Sequence, residues 1–218
     1  MEFAISTLFG YLLGSISPAA FIARIKKINL RKSGTGNLGA TNTTLVFGKK
    51  FGIIVMAFDI LKSALAVIIA RLIFPEVGAL AGLIAGASAV VGHMFPFYMK
   101  FKGGKGLAAY GGMVLAFDPL LFLILLCLGL LSMIVINYGV ALTYAAAILF
   151  PVLVGIKYWT SAFILPLILI SAAVSILLMV KHIDNILKVA REQEYTMRQF
   201  LKKIFSKGFK SESAERKD

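Results

Sequence analysis

Hydrophobic residues run almost unbroken over about residues 3–25, 51–74, 77–97, 107–117, 120–136, 138–156 and 162–180, and polar residues gather between these runs. A helix needs about 20 apolar residues to cross a ~30 Å hydrocarbon core, so six runs predict membrane-spanning helices. The run at 107–117 is short, is interrupted by Gly111 and Gly112, and ends at Asp118-Pro119. Inside the first run, Gly14-Ser15-Ile16-Ser17-Pro18 predicts a kink or a close helix approach. Gly78, Gly82 and Gly86 recur every four residues and predict a smooth stripe for helix packing. Asp59 and Lys62 fall three apart on one helix face and read as a structural ion pair near the cytoplasmic side.

Charge decides whether the short run crosses. The segment after residue 180 carries ten Lys/Arg against six Asp/Glu, and Arg24, Lys26 and Lys27 close the first run. Basic loops stay on the cytoplasmic side. If 107–117 did not cross, the basic tail and the lysine-rich stretch before residue 107 would lie on opposite faces. The expected fold is therefore all-α: a polytopic integral membrane protein with seven transmembrane helices, the N-terminus outside and the C-terminus cytoplasmic. Only single charges such as Arg71 and Lys157 then face outward.

Composition agrees and narrows the function. With 59% hydrophobic residues and a mean hydropathy of +0.89, the 218-residue chain has too little polar surface for a soluble globule. Its +13 net charge sits in loops and tail, which fits an anionic membrane lipid surface and not nucleic acid. Cys127, the single cysteine, lies in an apolar run, so no internal disulfide is expected and the thiol reads as an apolar wall residue. The first run lacks a basic leader and a small-residue cleavage site, so it reads as a retained span. Residues 1–195 form the expected membrane domain. Residues 196–218 form a tail in which Phe200, Leu201, Ile204 and Phe205 among lysines predict a short amphipathic helix on anionic lipid, fading after Gly208 into a disordered end.

Three polar constellations carry the candidate chemistry. Gly34, Thr35, Gly36, Asn37, Gly39, Thr41 and Asn42 interleave glycine with hydroxyl and amide donors suited to phosphate oxygens. An Asn/Gly turn accounts for the same segment equally well. His93 precedes Lys102, Gly103, Gly104, Lys105 and Gly106, which read as a phosphate cradle, although a loop whose lysines merely fix topology has the same lysines. His182, Asn185 and Glu194 follow the last span, with His182 and Asn185 on one face of any helix there. Parity puts all three on the cytoplasmic face, and their convergence beside apolar runs fits an enzyme that moves an acyl chain between phosphate-bearing partners.

These motifs, in this order and at these separations, resemble the bacterial acyl-phosphate:glycerol-3-phosphate acyltransferases, the PlsY family, over nearly the whole chain to about Tyr195. The resemblance implies transfer of a fatty acyl group from acyl phosphate to the 1-hydroxyl of glycerol 3-phosphate, without cofactor or metal, giving lysophosphatidic acid and phosphate. It also implies a seven-span fold in the bacterial cell (inner) membrane with a cytoplasmic active site. Three positions depart from the family pattern: Thr35 stands where serine is usual, and Leu45 and Lys188 where arginine is usual. Leu45 removes a planar, bidentate phosphate donor, for which Lys49 or Lys50 would have to substitute.

No His-x-x-x-x-Asp or Ser-His-Asp arrangement is apparent, and acyl phosphate is already activated, so direct attack by the glycerol hydroxyl is expected. Lys105 would neutralise phosphate charge, Thr35 and nearby amides would cradle it, His182 and Asn185 would orient the acceptor, and His93 would hold loops or touch substrate. The competing classes are a transporter of a phosphorylated small molecule, disfavoured by polar groups massed at one face without a repeat, and an inactive paralogue serving as a membrane scaffold.

Overall fold

A computed structural model describes residues 1–205, and among these residues all regular structure is helical. The order is α1 (Glu2–Ser15), α2 (Pro18–Ile25), α3 (Ala40–Phe47), α4 (Lys49–Ile73), α5 (Gly78–Met94), α6 (Leu107–Phe117), α7 (Pro119–Ile136), α8 (Gly139–Lys157), α9 (Ile164–Lys181), α10 (Ile183–Ala190) and α11 (Met197–Phe205).

The break expected in the first run is real. Pro18 opens α2 and Ser17 caps it, its hydroxyl accepting from the Ala20 amide at 3.3 Å. The carbonyls left open by the break find side-chain donors: Ser15 takes the Tyr98 hydroxyl at 2.8 Å, and Ile16 takes the Lys62 ammonium at 2.7 Å. A polar link between α1, α4 and the loop after α5 results.

Among the described residues, six helical stretches are long and apolar enough to cross a membrane: Glu2–Ile25, Lys49–Ile73, Pro75–Met99, Pro119–Ile136, Gly139–Lys157 and Ile164–Lys181. The 11-residue α6 spans only about 16 Å at 1.5 Å per residue. Its two ends nonetheless meet opposite ends of its neighbours. It starts beside Lys105, in the loop that follows α5, and it finishes where the Arg71 guanidinium near the end of α4 donates to the Phe117 carbonyl at 3.0 Å. There Asp118 caps α7, pairs with Lys157 at 2.5 Å and accepts from the Tyr158 hydroxyl at 2.9 Å. Arg71 and Lys157, expected as isolated charges, are thus drawn into one cluster, because a short helix leaves its last carbonyls and the next helix's first amides within reach of both.

Small residues set the helix spacing. A side chain at Gly10 or Gly14 of α1 would strike the Ala85 or Ala89 backbone of α5. Gly82 and Gly86 of the expected stripe receive Val67 of α4, and Gly86 also receives Met113 of α6. The core gathers at α5, α6, α8 and α9, with Tyr110 and Phe117 packed edge-on to Phe150 at centroid distances of 5.7 and 6.2 Å. Leu and Ile side chains crowd the outward faces, as a hydrocarbon surrounding allows.

Of the tail, α11 forms where an amphipathic helix is expected. Thr196 and Gln199 cap it reciprocally, each side chain accepting from the other's amide at 2.9–3.2 Å. The apolar face is partly turned inward, since Met197 and Phe200 line the main cavity and the Met197 amide donates to the Asn137 carbonyl at 2.8 Å. The expected disordered end after Gly208 lies outside the described residues.

Candidate active site

The first polar loop is built around Asn42, which is fully buried at the start of α3. Its Oδ1 accepts from the Thr35 amide at 2.7 Å, and its Nδ2 lies 2.9–3.1 Å from the carbonyl oxygens of Leu30, Ser33 and Asn37. Gly34 and Gly36 take φ of +57° and +76°, which turns the chain tightly around that amide. A side chain at Gly34 would collide with Asn42 Oδ1. Three residues expected to touch phosphate, Asn42, Gly34 and Gly36, therefore sit off the cavity wall, because making the turn uses up their geometry and donors. What the turn presents to the cavity is Thr35, Asn37, Gly39 and Thr41, with the N-terminus of α3 among them.

The second loop folds back onto the end of α5. The Gly103 and Gly104 amides donate to the Met94 and His93 carbonyls at 2.9 and 3.1 Å, and a methyl group at either glycine would strike His93. These glycines permit close backbone approach and satisfy the carbonyls of a helix end, so Gly103 and Gly104 line no part of the cavity. Lys102 is exposed and off the wall, and its carbonyl takes a hydrogen bond from the Arg31 guanidinium that ties the two loops together. Only Lys105 and Gly106 of the expected cradle reach the cavity, Gly106 at φ +91° opening α6 so that a second helix N-terminus faces the same space.

The third segment arrives from α10 and the turn after it. Lys105 Nζ donates to Asn185 Oδ1, and Asn185 Nδ2 donates to Glu194 Oε1 at 3.0 Å, a relay joining two of the three segments. Burial, followed by the nearby Lys188 charge, pulls the Lys105 ammonium below its ordinary pKa. His182 donates from Nδ1 to the Leu178 carbonyl at 2.9 Å, because a carbonyl can only accept, so its lone pair is on Nε2. Burial lowers its pKa to about 4, against the Leu178 bond and helped by Lys105, so the ring is neutral near pH 7.

The cavity itself holds about 470 Å³. Its mouth carries Thr35, Asn37, Thr41, His93, Lys105, His182, Asn185, Lys188 and Glu194. An apolar tract continues from the mouth between α6, α7 and α8, following α7 from Met133 to Phe122, about 16 Å by helical rise. A lysine-bearing head beside two helix N-termini and a long apolar tail have the shape and polarity to suit an amphiphile with an anionic end. Leu45 forms part of the wall where an arginine is usual, and Lys188 also lines the cavity, whereas Lys49 and Lys50 do not. Asp59, the α3 and α6 N-termini and the α7–α8 tract also border the cavity, and Asp59 and the tract lie outside the three polar motifs; the acid–lysine spacing inside a span was the one available signal for Asp59.

Residues 4–192 match the sequence profile of the glycerol-3-phosphate acyltransferase family. The glycerol-3-phosphate acyltransferase of Geobacillus kaustophilus is 38% identical over 192 residues, covering 88% of this chain and 94% of its own. That of Thermoanaerobacter pseudethanolicus is 37% identical over 177 residues, covering 80% and 87%. A crystal structure of PlsY, an integral membrane glycerol 3-phosphate acyltransferase in its glycerol 3-phosphate form, superposes with a TM-score of 0.78 at 29% identity, over 90% of this chain and 96% of that one. The lysophosphatidic acid form of the same protein gives 0.74. With a lysine-bearing cavity mouth, an apolar tract and this extent of similarity, the chain belongs to the PlsY family of multi-pass membrane glycerol-3-phosphate acyltransferases.

Proposed function

We propose that this protein transfers a fatty acyl group from acyl phosphate to the 1-hydroxyl of glycerol 3-phosphate, at the cytoplasmic face of a bacterial inner membrane. One observation carries the reading: a single cavity joins a lysine-bearing, amide-rich mouth to an apolar tract about 16 Å long. The acyl chain fits the tract between α6, α7 and α8, and its phosphate fits the mouth, within reach of Lys105, Thr35 and the α3 and α6 N-termini.

The chemistry needs no covalent intermediate. The glycerol 1-hydroxyl oxygen attacks the acyl carbonyl carbon, the bond from that carbon to the phosphate oxygen breaks, and the hydroxyl proton passes to the departing phosphate. Lysophosphatidic acid and inorganic phosphate result. Lys105 offsets charge on the phosphate as it leaves, and its bond to Asn185 fixes where that charge sits. His182, neutral with its lone pair on Nε2, is suited to accept from the attacking hydroxyl while Asn185 helps orient the acceptor.

Seven spans complete the reading. The ends of α6 support it: one shares the cavity mouth with the other polar loops, and the other meets Arg71 and Lys157 at the far ends of α4 and α8. A helix only about 16 Å long crosses by meeting a locally thinned bilayer. The N-terminus then lies outside and the anionic lipid of the inner leaflet faces the basic loops and tail.

Purified protein incubated with acyl phosphate and radiolabelled glycerol 3-phosphate should form labelled lysophosphatidic acid. Uptake of label into proteoliposomes without acylation would favour a transporter, and neither activity would leave a scaffold.

A further inference from the structure

Asp59 and Lys62 of α4 are each 2% exposed, and the structure brings His93 of α5 into their pair. Lys62 Nζ lies 2.7 Å from Asp59 Oδ1, 2.7 Å from the Ile16 carbonyl oxygen and 3.0 Å from His93 Nδ1. An ammonium has hydrogens and no lone pair, so it can only donate: it bonds the Ile16 carbonyl and His93 Nδ1, and it pairs with Asp59 by charge. His93 Nδ1 is therefore an acceptor, and the one proton of the neutral ring is on Nε2. The other tautomer would direct Nδ1–H at Asp59 Oδ1, 3.2 Å away, yet that buried oxygen has no aligned hydrogen-bond donor. Ile16 can take part because Pro18 breaks the first span: the Ala20 amide that would otherwise bond the Ile16 carbonyl turns to Ser17 Oγ.

His93 Nε2 lies against the Gly104 α-carbon, where a methyl group would strike it, and His93 shares the cavity wall with Lys105 and Thr35. His182, the second of the chain's two histidines, is held in the opposite tautomer by Leu178. One cavity is thus bordered by a ring with a proton on Nε2 and a ring with a lone pair there.

We infer that Asp59 and Lys62 are positioning residues that hold His93 as its Nε2–H tautomer, a fixed neutral donor to a phosphoryl oxygen bound in the cavity mouth. The identity of that oxygen rests on the proposed function; the tautomer does not. A neutral donor orients a phosphoryl oxygen without adding to the charge that Lys105 already supplies, and two hydrogen bonds together with the Asp59 charge hold Lys62 in place.

Ring-nitrogen NMR of protein labelled with 15N-histidine tests the assignment, since only two rings contribute and His182→Gln removes one. At pH 7.5 the His93 ring should carry hydrogen on Nε2 and none on Nδ1, and inorganic phosphate should perturb Nε2 selectively. A wild-type ring protonated on Nδ1, or on both nitrogens, overturns the inference with no variant needed. Lys62→Met should mix the tautomers and lower kcat by about 10- to 100-fold with little change in KM, the scale seen when the partner that orients a functional histidine is removed. In a His93→Gln background the same substitution should cost almost nothing further. Equal losses in both backgrounds would make Lys62 merely structural and overturn the positioning role. A wild-type enzyme that shows the Nε2–H ring but forms no lysophosphatidic acid would refute the proposed reaction and leave the tautomer assignment standing.

Discussion

Removing the Asn42 side chain separates a loop-building role from a substrate-binding one. Asn42→Ala deletes an acceptor for the Thr35 amide and the two N–H groups shared among the Leu30, Ser33 and Asn37 carbonyls. Each hydrogen bond contributes about 0.5–1.5 kcal/mol net, so three bonds' worth comes to about 2–4 kcal/mol of local order in a fully buried position. At 1.4 kcal/mol per decade, opening of the 33–37 turn should become roughly 30- to 1000-fold more favourable. Hydrogen exchange of the ligand-free protein in detergent reads this directly, through the Thr35 and Gly36 amides. Acyl transfer should fall with it, because Thr35 and the α3 N-terminus lose their placement at the cavity mouth. Unchanged exchange of the free protein, accompanied only by a higher KM for glycerol 3-phosphate, would refute the loop-building role and return Asn42 to the phosphate.

Lys105→Ala should lower kcat by about two to three orders of magnitude in a folded, detergent-stable protein, the usual cost of losing one preorganised charge partner in a transition state; a normal rate would sink its assignment. Leu45→Arg should lower the KM for glycerol 3-phosphate by about 10- to 100-fold, the value of a charge-assisted hydrogen bond, and an unchanged KM would mean that the missing guanidinium is no handicap. For His182 the folded pKa is near 4 and the unfolded value near 6.5, so the unfolded chain holds the extra proton between them. Stability should therefore be fully present above pH 6.5 and decline as pH falls toward 4, by about 3 kcal/mol in total, as measured by thermal unfolding of wild type against His182→Gln. Equal pH dependence of the two proteins would contradict the buried neutral ring.

The apolar runs fixed the long helices, because hydrocarbon tolerates only backbone whose polar groups are satisfied within the segment. The Ser17-Pro18 break, the glycine contacts between helices and the amphipathic α11 were equally local in origin and equally legible. Motif spacing singled out three segments that the fold brings to one cavity, since clusters of glycine, lysine and amide side chains stand out between oily runs.

Which residue within each motif faces the cavity was decided by tertiary structure. Sequence cannot distinguish a glycine that opens its amide to an anion from one that lets backbone pack against a histidine, and Gly103 and Gly104 are of the second kind. Nor can it tell an amide that binds phosphate from one that holds a turn, as Asn42 does, since the donors are identical and only their neighbours differ. Asp59, Lys62 and His93 lie up to 34 positions apart and meet only because α4 packs against α5. Periodicity along one chain is set by covalent geometry and solvent, and so it is written in the sequence; the direction of a side chain at a shared cavity is set by contacts between distant segments, and exists only once they have folded together.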